Sequence, residues 1–175
     1  MILVVFIETA NMKILQLCCF TDLWNSIHEV ESIDLKLGLD IFNYPDEYAS
    51  EFDLVCAAPP CDQFTIANNL RWQNSPDYFI EVAKKCFSMC LNTGLYWFLE
   101  NPPGRIEKFI PELTKYRIIT WTGSRTNKQY VIYGNFLIIA RPAKRYGKAN
   151  INRNKKIREI WQPDLIENIE LCLTN

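Results

Sequence analysis

Two stretches of this 175-residue chain combine a reactive side chain with a stiff backbone. In Asp53-Leu54-Val55-Cys56-Ala57-Ala58-Pro59-Pro60-Cys61-Asp62-Gln63-Phe64-Thr65, an apolar run with the character of a buried strand ends in a double proline and then a cysteine. Proline fixes φ, so the backbone is rigid where a reactive thiol would need a fixed position. The helix-favouring segment that follows predicts that Cys61 stands at a helix N-terminus, whose partial positive charge favours thiolate. In the second stretch, Leu95-Tyr96-Trp97-Phe98-Leu99 runs into Glu100-Asn101-Pro102-Pro103-Gly104. A proline-fixed cysteine and a glutamate at a strand end form the nucleophile and acid that covalent catalysis requires. The same residues have a plainer reading, with Cys61 a packed loop cysteine and Glu100 a cap or a partner of Arg105.

The elements that must position these groups can be read in order. Lys13 to Cys19 and Glu31 to Leu35 have the character of short strands, with a helix from Thr21 or Asp22 to about His28 between them. Tyr44-Pro45-Asp46 predicts a turn, and Phe52 to Ala57 the strand that feeds Pro59-Pro60-Cys61. Ser75-Pro76 begins a long helix to about Leu91, with Phe79, Val82, Ala83, Cys86, Phe87 and Cys90 at helical spacing. Leu95 to Leu99 is the next strand, Ile106 to Leu113 is helical, and Arg117 to Trp121, Gln129 to Tyr133 and Phe136 to Ala140 are strands. A helix broken near Pro163 covers about Arg153 to Leu173. Strands alternating with helices predict an α/β fold with a largely parallel sheet, whose ligands bind at the carboxyl ends of the strands. Asp34, Asp40, Cys61 and Glu100 all fall at or just past predicted strand ends.

Composition narrows the class. Hydrophobic residues make up 49% of the chain and aromatic ones 13%, which is a folded globular composition. The net charge of −1 hides a division: residues 1–100 hold 5 Lys and Arg against 14 Asp and Glu, and residues 101–175 hold 14 against 6. The basic half includes eight Lys and Arg and no acid between Arg141 and Arg158, a stretch suited to phosphate or to a solvated face. Seven cysteines, an odd number, with no secretory signal pattern, predict a reducing, cytoplasmic setting and no disulfide framework. With His28 as the single histidine, the Cys86 and Cys90 pair predicts buried packing and no metal. The first apolar run, Ile2 to Ile7, is far short of a membrane span.

Phe52-Asp53-Leu54-Val55 and Pro59-Pro60-Cys61-Asp62-Gln63-Phe64-Thr65 together resemble the catalytic Pro-Cys loop of DNA cytosine (carbon-5) methyltransferases. Leu99-Glu100-Asn101-Pro102 is similar to that family's Glu-Asn segment, in the form found in short, phage-type relatives. Asn127 to Asn135 resembles the Lys-x-Thr-x-x-Trp-x-Asn stretch of the same relatives, and the match runs from about residue 13 to 140. The resemblance implies a Rossmann-like methyltransferase fold: a mostly parallel central sheet flanked by helices, without a separate target-recognition domain. It implies residues 1–12 as an extension (with Met12 an alternative start), 13–140 as the catalytic domain, and 141–175 as a basic segment and helix packed on it. It implies catalytic roles for Cys61, Glu100, Pro60 and Asn101, and a S-adenosylmethionine site at Cys18, Cys19, Phe20, Asp34, Asp40 and Pro59. DNA is the implied partner, contacted by Arg125, Lys128, Lys144, Arg145, Lys155 and Lys156. A homodimer or partner chain would supply further target recognition. If the source is viral, the setting is the host cytoplasm.

The cofactor loop departs from the family pattern. Where relatives carry Asp-Leu-Phe-x-Gly-x-Gly-Gly, this chain has Gln16-Leu17-Cys18-Cys19-Phe20-Thr21-Asp22-Leu23, with no glycine. Glycines there let the backbone approach a ligand closely. Two further readings follow: a catalytically degenerate protein of the same fold that binds nucleic acid or a protein partner, and an enzyme acting on a free pyrimidine nucleotide.

Overall fold

A computed structural model of the chain describes residues 11–19, 28–61, 64, 76–122 and 129–136. They form a mixed α/β structure around a six-stranded sheet. Its strands are β1 (Lys13–Leu17), β2 (Glu29–Ile33), β3 (Leu54–Ala57), β4 (Tyr96–Asn101), β5 (Arg117–Thr122) and β6 (Gln129–Gly134). The order is β2-β1-β3-β4-β6-β5. The first four are mutually parallel, while β6 runs antiparallel between β4 and β5. The expected mostly parallel sheet is therefore present, with a reversed strand near one end.

Burial explains the strand assignments. All four residues of β3, and Ile14 to Leu17 of β1, are buried, as strands covered on both faces of a parallel sheet must be. Alternation divides the side chains between two cores. Leu15, Leu17, Val55, Ala57, Trp97 and Leu99 face one, and Ile14, Leu54, Cys56 and Phe98 face the other. Helix α1 (Pro76–Leu91) covers the first face with Val82, Ala83, Cys86, Phe87 and Cys90, whereas Phe79 of the expected stripe is only half-buried, near the start of the helix. Asp46, in a 3-10 turn (Asp46–Glu51), holds α1 from outside by accepting hydrogen bonds from Lys85 Nζ and Ser88 Oγ.

Several boundaries differ from expectation, each for a local reason. β1 ends at Leu17, because Cys18 turns into the left-handed region at φ 58°. β2 ends at Ile33, and Asp34 caps a 3-10 turn (Leu35–Leu37) by accepting from Lys36 N at 2.8 Å. Gly38 closes that turn at φ 79°, a conformation glycine adopts without strain. Short 3-10 turns thus lead from β2 towards β3. Flanking helices are few: among the described residues, α1 and the single-turn α2 (Ile106–Phe109) are the α-helices. α2 gives way at Pro111 to a 3-10 turn, because proline cannot donate the next helical bond. The expected helices before His28 and over 153–173, and residues 137–140 of the last expected strand, lie outside the described residues. So do residues 1–10 and 141–175 of the expected outer segments. Phe136 itself forms a bend after β6.

Gly134 shows how tightly the reversed strand fits. A Cβ there would lie 2.6 Å from Trp97 O and 2.9 Å from Ile118 Cδ1. We expect Gly134→Ala to destabilise the fold by about 1–3 kcal/mol, as overpacking does. Denaturant titration should show the midpoint moving down at unchanged slope.

Candidate active site

The strand order has a switch point. From β1 the chain goes first to one side of the sheet, at β2, and then to the other, at β3 and β4. The crevice outside the carboxyl ends of β1 and β3 is where such sheets bind ligands. Both exits are knitted into the sheet: Cys18 N donates to Ile33 O and Ala58 N to Leu17 O, each at 2.9 Å.

Glu100 and Asn101 are the last residues of β4, not loop residues beyond it. The parallel register sets Leu99 opposite Ala57, so Glu100 and Asn101 stand level with the start of Ala58-Pro59-Pro60-Cys61. Asn101 uses that position: its buried Nδ2 donates to Pro59 O at 3.1 Å. A second clamp lies past the cysteine. Phe64 N donates to Cys61 O at 3.0 Å, and Arg105 N donates to Phe64 O at 2.9 Å. The Phe64 ring is fully buried and meets Phe109 of α2 at 6.0 Å. The end of β4 and the segment that follows it therefore grip the Pro-Pro-Cys loop on both sides of Cys61. Cys61 itself is half-buried. Pro59 is buried and Pro60 half-buried. Of the helix expected after Cys61, Phe64 alone is described, in a turn.

Glu100 is buried on the sheet face opposite α1, which it shares with Cys19 and Cys56. Burial pushes the Cys19 thiol well up, and the neighbouring Cys56, Cys18 and Glu100 push it further. Cys19 donates to Leu17 O at 3.2 Å and contacts Cys56 O at 3.7 Å, so this side chain is engaged in the interior. Cys18, half-buried, packs instead on the α1 side. Asp34 is buried and spends a carboxylate oxygen on its own turn. Asp40 caps the next 3-10 turn (Ile41–Asn43) by accepting from Phe42 N at 3.1 Å.

Two aromatic residues that spacing did not single out complete this edge. Phe42 and Tyr78 are both partly exposed, with ring centroids 6.0 Å apart. Burial is the main cause that pushes the Tyr78 hydroxyl up, and the ring it meets belongs to Phe42, whose N–H donates to Asp40. The available signal was that Tyr78 lies off the apolar stripe of α1, where a large ring has no core to fill. Phe20, Arg125, Lys128, Lys144, Arg145, Lys155 and Lys156 lie outside the described residues. Among those described, no three His, Cys, Asp or Glu side chains converge as a metal site would need, and no helix is long and apolar enough to cross a membrane.

Comparison with known proteins leaves the site to speak for itself. No protein-family model matches the chain. No curated protein matches it either.

Removing the Asn101 side chain tests the clamp. Asn101→Ala leaves Pro59 O without its donor in a buried place, at a cost of about 1–3 kcal/mol. Thermal unfolding should report that loss, and a Cys61-directed alkylating reagent should react faster as the loop loosens. Unchanged reactivity would show that the prolines alone hold the thiol.

Proposed function

We propose that this chain is a DNA cytosine-5 methyltransferase that uses S-adenosylmethionine and a covalent adduct through Cys61. One observation carries the reading: the Asn101 Nδ2 to Pro59 O hydrogen bond at 3.1 Å, which joins the Glu-Asn and Pro-Pro-Cys segments at one edge of the sheet. The two segments are far apart in the chain, and their joint position at the carboxyl ends of neighbouring parallel strands suits a shared substrate. The fold reading that accompanies it is a Rossmann-like methyltransferase domain. It is supported by the parallel β2-β1-β3-β4 arrangement and its switch point.

The residues on this edge fit the adenosine half of the cofactor. Asp40 offers an acceptor, and the partly exposed Phe42 and Tyr78 rings offer apolar faces beside it. When bound, S-adenosylmethionine supplies an electrophilic methyl group on a sulfonium. The chain's own residues do the rest. The Cys61 thiolate adds to carbon 6 of cytosine, forming a C–S bond and moving the ring electrons towards N3. Glu100, as the carboxylic acid, gives its proton to N3 as negative charge builds there and accepts a hydrogen bond from the exocyclic amine. Carbon 5, now enamine-like, takes the methyl group. A base removes the carbon-5 proton, the C–S bond breaks, and Cys61 leaves as thiolate. The target carbon is inaccessible inside a duplex, so the base must be flipped out or already unpaired. Phosphate contacts fall to the basic residues Arg125, Lys128, Lys144, Arg145, Lys155 and Lys156.

Methyl transfer to cytosine-containing DNA, followed by nucleoside analysis for 5-methylcytosine, tests the reaction directly. Calorimetry with S-adenosylhomocysteine tests the cofactor site. Binding of DNA with neither product nor cofactor binding would replace this reading with a non-catalytic nucleic-acid-binding protein. Methylation of free deoxycytidine nucleotides but not of DNA would replace it with a nucleotide enzyme.

A further inference from the structure

The exit of β1 carries two adjacent cysteines whose side chains go to opposite faces. Cys19 enters the interior beside Cys56, while Cys18 meets α1, with its Sγ 3.8 Å from Sγ of Cys86. Cys18 is half-buried and within reach of solvent, whereas Cys86 is fully buried. Among the described residues, no third His, Cys, Asp or Glu converges on the pair. The cysteines also differ in how readily they move. Cys86 sits in the middle of α1, whereas Cys18 is a single left-handed residue between β1 and the segment that follows it. A disulfide requires the sulfurs at about 2.05 Å, and a small swing of Cys18 about this bend supplies the approach.

We propose that Cys18 and Cys86 form a reversible disulfide that staples the β1 exit to α1 and restricts the crevice at the switch point. Peroxide is the oxidant class. The Cys18 sulfur attacks one peroxide oxygen, giving a sulfenic acid and one water. The Cys86 sulfur then displaces the hydroxyl from that sulfenic acid, and its proton leaves with the hydroxyl as a second water. Two thiols lose two electrons and one peroxide gains them. The order follows from exposure. Cys86 is fully buried, and its contact with Cys18 and its burial hold it as a thiol, so it does not initiate; it meets oxidant only as the sulfenic acid formed beside it at Cys18. Cys56 and Cys90 are fully buried with their thiols pushed up by burial, and they stay reduced. The bond would also constrain Tyr78, which lies earlier on α1 with its ring against Phe42, the residue whose N–H donates to Asp40. Formation of the bond stands independently of the methyltransferase reading; its effect on the cofactor rests on that reading.

The test uses the full chain, oxidised with stoichiometric hydrogen peroxide and digested without reduction for mass spectrometry. The expected product is a Cys18–Cys86 cross-linked peptide lacking two hydrogens, removed by dithiothreitol, absent in Cys86→Ala and retained in Cys90→Ser. Free alkylation of both thiols after oxidation, or a bond from Cys18 to any other cysteine in the wild type, overturns the couple. Calorimetry with S-adenosylhomocysteine on the two redox forms should show affinity falling about tenfold on oxidation and returning on reduction. Equal affinity in the two forms overturns the restriction of the crevice. A mapped bond in a protein that binds no S-adenosylhomocysteine when reduced upholds the couple and overturns the cofactor reading instead.

Discussion

Cys61→Ser is expected to abolish both the covalent adduct with 5-fluorocytosine DNA and methyl transfer, lowering single-turnover rate by at least about 10³-fold. The magnitude follows from what serine lacks. Its hydroxyl is far less acidic than a thiol, so little alkoxide is available to add to carbon 6, and without that addition carbon 5 stays a poor nucleophile. The substitution should leave the fold nearly intact. Cys61 is half-buried, and the bonds that hold its loop run through Pro59 O, Cys61 O and Phe64 O, all of them backbone atoms. DNA affinity and melting temperature in Cys61→Ser should therefore stay close to those of the wild type. A denaturing gel after incubation with the fluorinated DNA gives the decisive readout: a shifted band in the wild type and none in the variant. An equal shifted band in both would remove Cys61 from the chemistry.

Glu100→Gln is expected to slow adduct formation and turnover together, by about 10²–10³-fold, while adduct at long times remains detectable. The replacement keeps shape and volume but has no carboxyl proton to give to N3 as negative charge develops there. Because Glu100 is 6% exposed, its surroundings are shielded from water, and electrostatic effects there are larger than at a surface. The fold should not suffer, since an amide is cheaper to bury than an ionised carboxylate. Stopped-time trapping assays on the two proteins would measure the ratio. A variant with wild-type rates would make Glu100 a packing residue beside Cys19 and leave the acid role to another group.

Much of this edge is legible in the sequence. Rigid Pro59-Pro60 ahead of Cys61, apolar runs at β1, β3 and β4, and the α1 stripe from Val82 to Cys90 all follow from local rules. Proline restricts φ, buried strands are continuously apolar, and helices repeat every 3.6 residues. Boundaries were less legible because they depend on neighbours. β4 continues through Glu100 and Asn101 because β6 pairs with both, Ile132 with Glu100 and Val131 with Asn101. An isolated reading ends the strand where the apolar run ends. Asp34 likewise looks like a strand terminus by position, yet its carboxylate accepts from Lys36 N and starts a turn.

What the sequence determined by itself is the inventory: a stiffened thiol, an acid-amide pair, an acidic half and a basic half, and an α/β pattern. Each of these depends on residue type and short-range spacing. Tertiary structure alone decided which members meet. Asn101 reaches Pro59 O only because β3 and β4 are adjacent and in register, and Cys18 reaches Cys86 only because one left-handed residue turns its side chain onto α1. Tyr78 meets Phe42, beside Asp40, for the same kind of reason, being carried there by a helix packed across the sheet. Such contacts close long loops, and the free energy that selects them comes from burial spread over the whole core, so no local stretch encodes them.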